Sequence, residues 1–174
     1  LNISYTGRSE LKTLTSIDRN LSNQANTLTK TSYSLLYINE LLIKLLPKDA
    51  QQEDLFNLYE QFLKKVNNDN SLELTLRHFE LDLLDMLGYG FDYDSEIDNQ
   101  KPIEINSRYS FVSERGFRKS NNSNFLGKDI LSLKNRNLEE VPLKYLKEIT
   151  TKAINSCLDG RDLTSRKIFR TIKQ

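Results

Sequence analysis

Cysteine and histidine are almost missing from this chain of 174 residues, which has one of each, Cys157 and His78. A single cysteine excludes an internal disulfide, and the two side chains together fall short of the four ligands that a structural zinc site usually takes. A glycine-rich phosphate loop of the GxxxxGK[ST] type is also absent. We therefore predict a protein that is not an enzyme and that holds no metal or other cofactor.

Long apolar runs are lacking as well. No stretch approaches the roughly 18 apolar residues that suggest a membrane-spanning helix, and the first residues have neither the charged nor the apolar region of a signal peptide. These absences predict a cytoplasmic protein with no membrane partner. The chain begins at Leu1 instead of a methionine, so we expect more sequence upstream. The hydrophobic share of 37%, with eight Phe and eight Tyr, is sufficient for one core.

Charge is nearly balanced overall, at +1, but it is unevenly distributed along the chain. Residues 1–48 carry a net charge of +3, residues 49–98 carry −10 and residues 99–174 carry +8. Such a gradient gives a folded protein an oriented field and allows its C-terminal part to face a polyanion. The alternative is that these charges lie on solvated helix faces, which is the commoner case.

Helical periodicity dominates the middle of the chain and predicts a mainly α fold. Residues 33–46 are apolar nearly all round and end at Pro47, and residues 53–66 place acids in the first turn and lysines in the last, as suits a helix dipole. The segment that starts at residue 72 is apolar on two faces, which is typical of a helix in the middle of a bundle. Gly88 is suited to the left-handed conformation that ends such a helix.

Later helices and two pairs of strands complete the prediction. We expect helices over residues 127–133 and 142–158, and a basic helix within 161–174 that Ser165 caps. Alternating residues predict two short strands over 1–8 and 11–17, and a small hairpin is predicted to join residues 109–112 to Phe117. The predicted fold is a mainly α helical bundle preceded by two short β-strands, with a small β-hairpin insert.

Arg77 is a charge in an apolar position. It shares one helix face with Leu74, Leu81 and Leu84, which lie three, four and seven residues away. A guanidinium among leucines requires an anion, and two interpretations stay open. One is an internal ion pair with Glu73 or Glu80, or a side chain that extends to the surface; the other is a ligand site. The adjacent His78 is expected to have a structural or surface role.

Five motifs occur in an order that resembles the RecO family of bacterial recombination mediators. They are GRSELKTL at residues 7–14, YINELL at 37–42, LRHFELDLL with LGYG at 76–90, SERGF at 113–117, and LDGRDLTSRKIF at 158–169. The resemblance implies that residues 1–19 are the last strands of an incomplete N-terminal OB-fold and that residues 20–174 form the helical domain. Some family members carry a four-cysteine zinc site after LGYG, and this chain has no cysteine there.

The resemblance also implies partners and a function. Family members bind single- and double-stranded DNA, anneal complementary strands, pair with RecR, and recognise the C-terminal tail of single-stranded DNA-binding protein, so that RecA is loaded in recombinational repair. The alternative from the residues alone is a non-catalytic helical protein-interaction domain that does not bind nucleic acid.

Two sets of site residues follow. The tail ends in an acidic run and a hydrophobic dipeptide, so the resemblance of LRHFE places its receptor at Arg77, Leu74, Leu81 and Leu84. The predicted DNA-binding residues are cations from the basic C-terminal segment and from the strands, namely Arg161, Arg166, Lys167, Arg170, Lys173, Arg8 and Lys12. A solvated basic helix is the alternative for the C-terminal cations.

Overall fold

The computed structural model describes residues 2–8, 11–18, 30–47, 52–66, 71–123 and 125–172, without the side chains of residues 2 and 169–172. Helices account for most of this part of the chain, which confirms the mainly α prediction. They are α1 (Lys30–Leu45), α2 (Glu53–Val66), α3 (Leu72–Met86), α4 (Gly127–Lys134), α5 (Leu143–Cys157) and α6 (Thr164–Ile172). A short 3-10 helix, Leu138–Glu140, lies between α4 and α5. Among the described residues, no helix has both the length and the apolar character needed to cross a membrane.

Helix α3 lies in the middle of the bundle, as its two apolar faces predict. Leu81, Leu83 and Leu84 are at most 1% exposed. Helix α2 packs against one side, where the rings of Phe62 and Phe79 are 4.9 Å apart, and α5 packs against another. Burial of an apolar side chain of this size contributes about 1.5–3 kcal/mol, so α3 is a main source of folding free energy.

Two of the helix ends follow from residues close by in sequence, and one depends on a distant carboxylate. The chain leaves α3 at Gly88, which has a φ of +79° in the left-handed region, so the predicted stop is confirmed. Helix α5 begins at Leu143, one residue after Pro142, whereas the sequence predicted a start at Pro142 itself. The fixed φ of this proline favours the start of a helix. Ser165 is not the cap of α6: the helix begins at Thr164, and a carboxylate from α1 takes the capping role.

Two separate sheets are present in the described residues. Strands β1 (Asn2–Thr6) and β2 (Thr13–Asp18) pair antiparallel, as predicted, with a register shift between Ser4 and Tyr5. Their apolar side chains are exposed: Ile3, Tyr5, Leu14 and Ile17 all have more than half of their surface in solvent. Assignment of these strands to an OB-fold stays a prediction, and residues 19–29, which join them to α1, lie outside the described part.

The small hairpin is confirmed as β3 (Arg108–Val112) and β4 (Gly116–Lys119). A two-residue strand, β5 (Phe125–Leu126), extends it to a three-stranded sheet of order β4-β3-β5, which periodicity did not predict because two residues show no alternation. Phe111 and Phe117 point from this sheet into the core, and Phe91 packs edge-on against Phe111 at 4.8 Å. Aromatic contacts thereby anchor the hairpin to the segment that follows α3, and Phe125 of β5 contacts Tyr145 of α5 at 4.8 Å.

Candidate functional site

Arg77 is buried and paired. Its side chain is on α3 with 8% of the residue exposed, and Nη1 donates to Oε2 of Glu80 at 2.7 Å and to Oγ1 of Thr150 on α5 at 2.8 Å. Glu80 is 1% exposed. Of the two partners that spacing allowed, the structure selects Glu80, while Glu73 is exposed. The internal ion pair, one of the two interpretations of Arg77, is therefore present.

The ion pair leaves one buried nitrogen of the guanidinium without a partner in the described part of the chain. Nε of Arg77 is buried and has no hydrogen-bond partner among the described residues. Buried donors are almost always bonded, because leaving one unpaired costs about 1–3 kcal/mol. If the side chains that cover Nε moved aside, a carboxylate would satisfy it without displacing Glu80 from Nη1.

Glu80 links Arg77 to two further helices. The hydroxyl of Tyr37 on α1 donates to Oε1 of Glu80 at 2.7 Å, so each carboxylate oxygen accepts one strong bond. The Arg166 guanidinium of α6 lies 5.5 Å from the centre of the Tyr37 ring, and its Nη2 is 3.4 Å from the Tyr37 hydroxyl. Burial, together with the nearby Glu80 charge, raises the pKa of Tyr37 far above its usual range, so the phenol stays a donor at neutral pH.

The predicted leucine pocket is distributed between core and surface. Leu81 and Leu84, at 1% and 0% exposed, belong to the core, whereas Leu74 is partly buried at its edge. Sequence periodicity placed all three on one face, but it could not show that the fold buries most of that face. Recognition of the tail at these residues stays a prediction.

A groove between α2 and α3 was not expected from the sequence. It has a volume of about 410 Å³, and its lining combines apolar side chains with one lysine and the only histidine: Leu58, Phe62, Lys65, Leu74, His78 and Phe79 are among its residues. His78 and Leu74 are one helical turn apart, so Leu74 borders both this groove and the Arg77 face. Desolvation lowers the pKa of His78, which favours its neutral form.

The described cations of the C-terminal cluster each have an acceptor within the protein. Arg161 donates from Nη1 to the carbonyl oxygen of Lys44 at 2.6 Å, Arg166 donates from Nη1 to Oδ1 of Asn155 at 2.5 Å, and Lys167 bonds Oδ2 of Asp162 at 2.6 Å. They lie together near the start of α6. The side chain of Arg170 and all of Lys173 are outside the described residues.

The two predicted cations of the N-terminal strands are exposed. Lys12 donates from Nζ to the carbonyl oxygen of Gly7 at 3.0 Å, which closes the turn between β1 and β2, and Arg8 lies in the same turn. The structure places Arg8 and Lys12 together at the turn between β1 and β2. DNA binding by either set of cations remains a prediction.

Similarity to known proteins covers nearly all of this chain. The sequence profile of the family described as "Recombination protein O C terminal" matches residues 27–161. A DNA repair protein RecO from Pectobacterium atrosepticum is 37% identical over 176 residues, which is 98% of this chain and 71% of that protein. A DNA repair protein RecO from Pseudoalteromonas atlantica is 31% identical over 179 residues, which is 98% of this chain and 72% of that protein.

Proposed function

We propose that this chain, which belongs to the RecO family of DNA repair proteins, is a mediator of recombinational repair. In this role it binds and anneals DNA, recognises the C-terminal tail of single-stranded DNA-binding protein, and acts with RecR to load RecA. The proposed role is non-catalytic and cytoplasmic. DNA repair follows from the family; the individual partners are the proposal.

The observation that carries the tail-binding part is the unpartnered Nε of Arg77. The tail ends in a carboxylate next to an aromatic ring, so its receptor requires a cation beside apolar surface. Arg77 offers the cation, and partly exposed Leu74 offers an apolar edge, while Leu81 and Leu84 support the site from the core. Glu80 and Thr150 hold the guanidinium in one orientation, which reduces the entropy lost on binding.

The test must separate binding from folding, because removal of Arg77 alone leaves Glu80 buried without its cation. We therefore choose the double variant Arg77→Met/Glu80→Gln, in which the amide still accepts from Tyr37, and compare it with Glu80→Gln. A synthetic tail peptide should bind the double variant about tenfold or more weakly, since a hydrogen bond to a charged group contributes about 1.5–3 kcal/mol.

The same peptide with an amidated C-terminus completes the experiment. Amidation should weaken binding to Glu80→Gln as strongly as the loss of Arg77 does, and it should have little further effect on the double variant. Equal binding of the free and amidated peptides by Glu80→Gln would show that Arg77 does not receive the terminal carboxylate.

The DNA-binding part is proposed to involve Arg8, Lys12, Arg161, Arg166, Lys167, Arg170 and Lys173. Because phosphate neutralisation releases counterions, the logarithm of the binding constant should fall steeply with the logarithm of salt concentration. Arg166→Ala/Arg170→Ala should weaken binding equally on different sequences and make that slope shallower. An unchanged slope would exclude these two arginines as phosphate contacts.

A second candidate is a protein-interaction domain that does not bind nucleic acid. It is favoured by the intramolecular acceptors of Arg161, Arg166 and Lys167, which lie on α1, on α5 and in the segment leading into α6, so that these cations bond within the protein. The salt titration discriminates between the two: absence of DNA binding at low salt would support the second candidate.

A further inference from the structure

Helix α5 presents a polar, basic stripe on its solvent side. Its opposite face is built from Leu146, Ile149, Ala153 and Ile154, which are all at most 3% exposed, and it packs against α3. At roughly 100° per residue, the outer face holds two neighbouring rows: Lys144, Lys147, Thr151 and Asn155, which form the stripe, and beside them Glu148 with Lys152. Lys144, Lys147 and Asn155 are exposed and Thr151 is half-buried. The stripe therefore consists of these four residues.

The two lysines of the stripe have no carboxylate partner, unlike several other cations in the described part of the chain. Arg118, Lys119 and Lys134 each have a carboxylate within 4 Å, whereas no described carboxylate lies that close to Lys144 or Lys147. Lys144 instead lies 4.8 Å from the centre of the Tyr145 ring. A polyanion can bind these lysines without breaking an existing ion pair, which removes one cost of binding.

The acidic residue nearest to the stripe in sequence is already neutralised. Glu148 lies on the outer face beside Lys144 and Asn155, and its Oε1 is 2.6 Å from Nζ of Lys152, one helical turn away. This pair leaves the field along the stripe positive. The stripe itself contains no large apolar side chain, and the exposed leucine beside it, Leu143, offers little of the apolar area on which a protein interface is centred.

The stripe continues directly into the predicted DNA-binding cluster. Asn155 at its end accepts the 2.5 Å hydrogen bond from Nη1 of Arg166, the first described arginine of α6. From residue 144 to residue 155 the helix rises about 16 Å, at about 1.5 Å per residue. That length matches about five phosphates of one B-form strand at about 3.4 Å each.

We infer that the solvent face of α5, through Lys144 and Lys147 with Asn155 orienting Arg166, is a binding site for the phosphate backbone of nucleic acid. This inference rests on the proposed DNA-binding function and assigns residues to it outside the C-terminal cluster. Contact is with phosphates, so it carries no sequence preference.

The experiment measures binding of a labelled mixed-sequence oligonucleotide, single-stranded or duplex, as a function of salt for the wild type, for Lys144→Ala/Lys147→Ala, and for a matched control. The control, Lys64→Ala/Lys152→Ala, removes the same two charges from exposed lysines that already have carboxylate partners. Alanine favours helix at all four positions, and thermal midpoints verify that both variants fold.

Loss of two phosphate contacts should make the salt slope shallower by about 1.8 on a duplex or about 1.4 on a single strand, while the control keeps the wild-type slope. Equal slopes for all three proteins would overturn the inference and leave the proposed function standing. Failure of the wild type to bind any oligonucleotide would instead reject the proposed DNA binding itself. Weaker binding of an acidic peptide, without a change in DNA binding, would also overturn the inference, because the site would then serve a protein.

Discussion

Glu40 and Ser165 are 125 positions apart in the chain and share two hydrogen bonds: Oε2 of Glu40 accepts from the backbone N–H of Ser165 at 2.8 Å and from its hydroxyl at 2.6 Å. Oε1 accepts from the backbone N–H of Thr164 at 2.8 Å. A carboxylate from α1 thus satisfies the first free N–H groups of α6 and meets the positive end of its dipole.

Replacement of Glu40 by alanine should therefore loosen α6. Loss of a capping side chain usually costs about 0.5–2 kcal/mol of stability, and we expect a value near the upper end because two N–H groups lose their acceptor. The control is Glu60→Ala, which breaks the exposed pair with Lys64 on α2 and should cost at most about 0.5 kcal/mol. Denaturant midpoints measure both, and equal losses would show that the cap contributes nothing specific.

The same carboxylate makes stability depend on pH. Although burial alone would raise its pKa, the bonds from Ser165, Thr164 and Lys44 lower the pKa of Glu40 from 4.5 to about 2. A group with a lowered folded-state pKa stabilises the fold above its unfolded-state pKa, and this contribution is lost as pH falls toward the folded-state value.

We expect the stability difference between wild type and Glu40→Gln to be constant at neutral pH and to shrink as pH falls from about 4.5 to about 2, where Glu40 becomes neutral in both states. Denaturant titrations at several pH values measure it. A difference that stays constant over this range would show that the pKa of Glu40 is the same in the folded and unfolded states, so that the cap does not favour its ionised form.

Tyr37→Phe tests the buried link between α1 and α3. The ring still packs, but Oε1 of Glu80 loses its donor while the carboxylate remains 1% exposed. Leaving a buried acceptor without a partner should cost about 1–3 kcal/mol. The same change in a Glu80→Gln background should cost less, since a neutral amide is easier to bury. An equal cost in both backgrounds would assign the effect to packing of the phenol.

Gly127→Ala tests the close approach at the start of α4. A Cβ at this position would lie 2.0 Å from the carbonyl oxygen of Glu104, and backbone cannot move aside as a flexible side chain can. Forcing an atom into such a position should cost at least about 1–3 kcal/mol, measured as a shift of the denaturant midpoint. Gly160→Ala is the control, because its Cβ would enter open space and only the positive φ opposes it. A smaller loss at Gly127 than at Gly160 would contradict the close approach of Glu104.

The helices could be predicted because their signals are local. The two apolar faces of α3 and the turn at Gly88 depend on residues within one segment, and both are confirmed. The partner of Arg77 is different: spacing allowed Glu73 and Glu80 equally, and the choice depends on Tyr37 and Thr150, which other helices bring to the same place.

The exposure of individual side chains was also hard to predict, because it depends on contacts between distant segments of the chain. Leu81 and Leu84 have the spacing of pocket residues, but whether a helix face is open depends on helices that come later in the chain. The 3.6-residue period also gave no sign that Glu40 caps α6, because the bond joins YINELL to LDGRDLTSRKIF across 125 positions. The first motif supplies the carboxylate and the second supplies the N–H groups, so neither motif alone predicts the contact.

The α1–α6 contact has a consequence for the order of folding during synthesis. The backbone of α6 follows every other helix of the described chain, yet Tyr37, Glu40 and Lys44 of α1 all bond to the segment that contains it or leads into it. One side of α1 therefore emerges from the ribosome long before its partner, with Glu40 hydrated and Tyr37 in contact with solvent. Final closure of the bundle is a late, long-range step, and a ribosome stalled before α6 would hold a chain that a protease can still cut near α1.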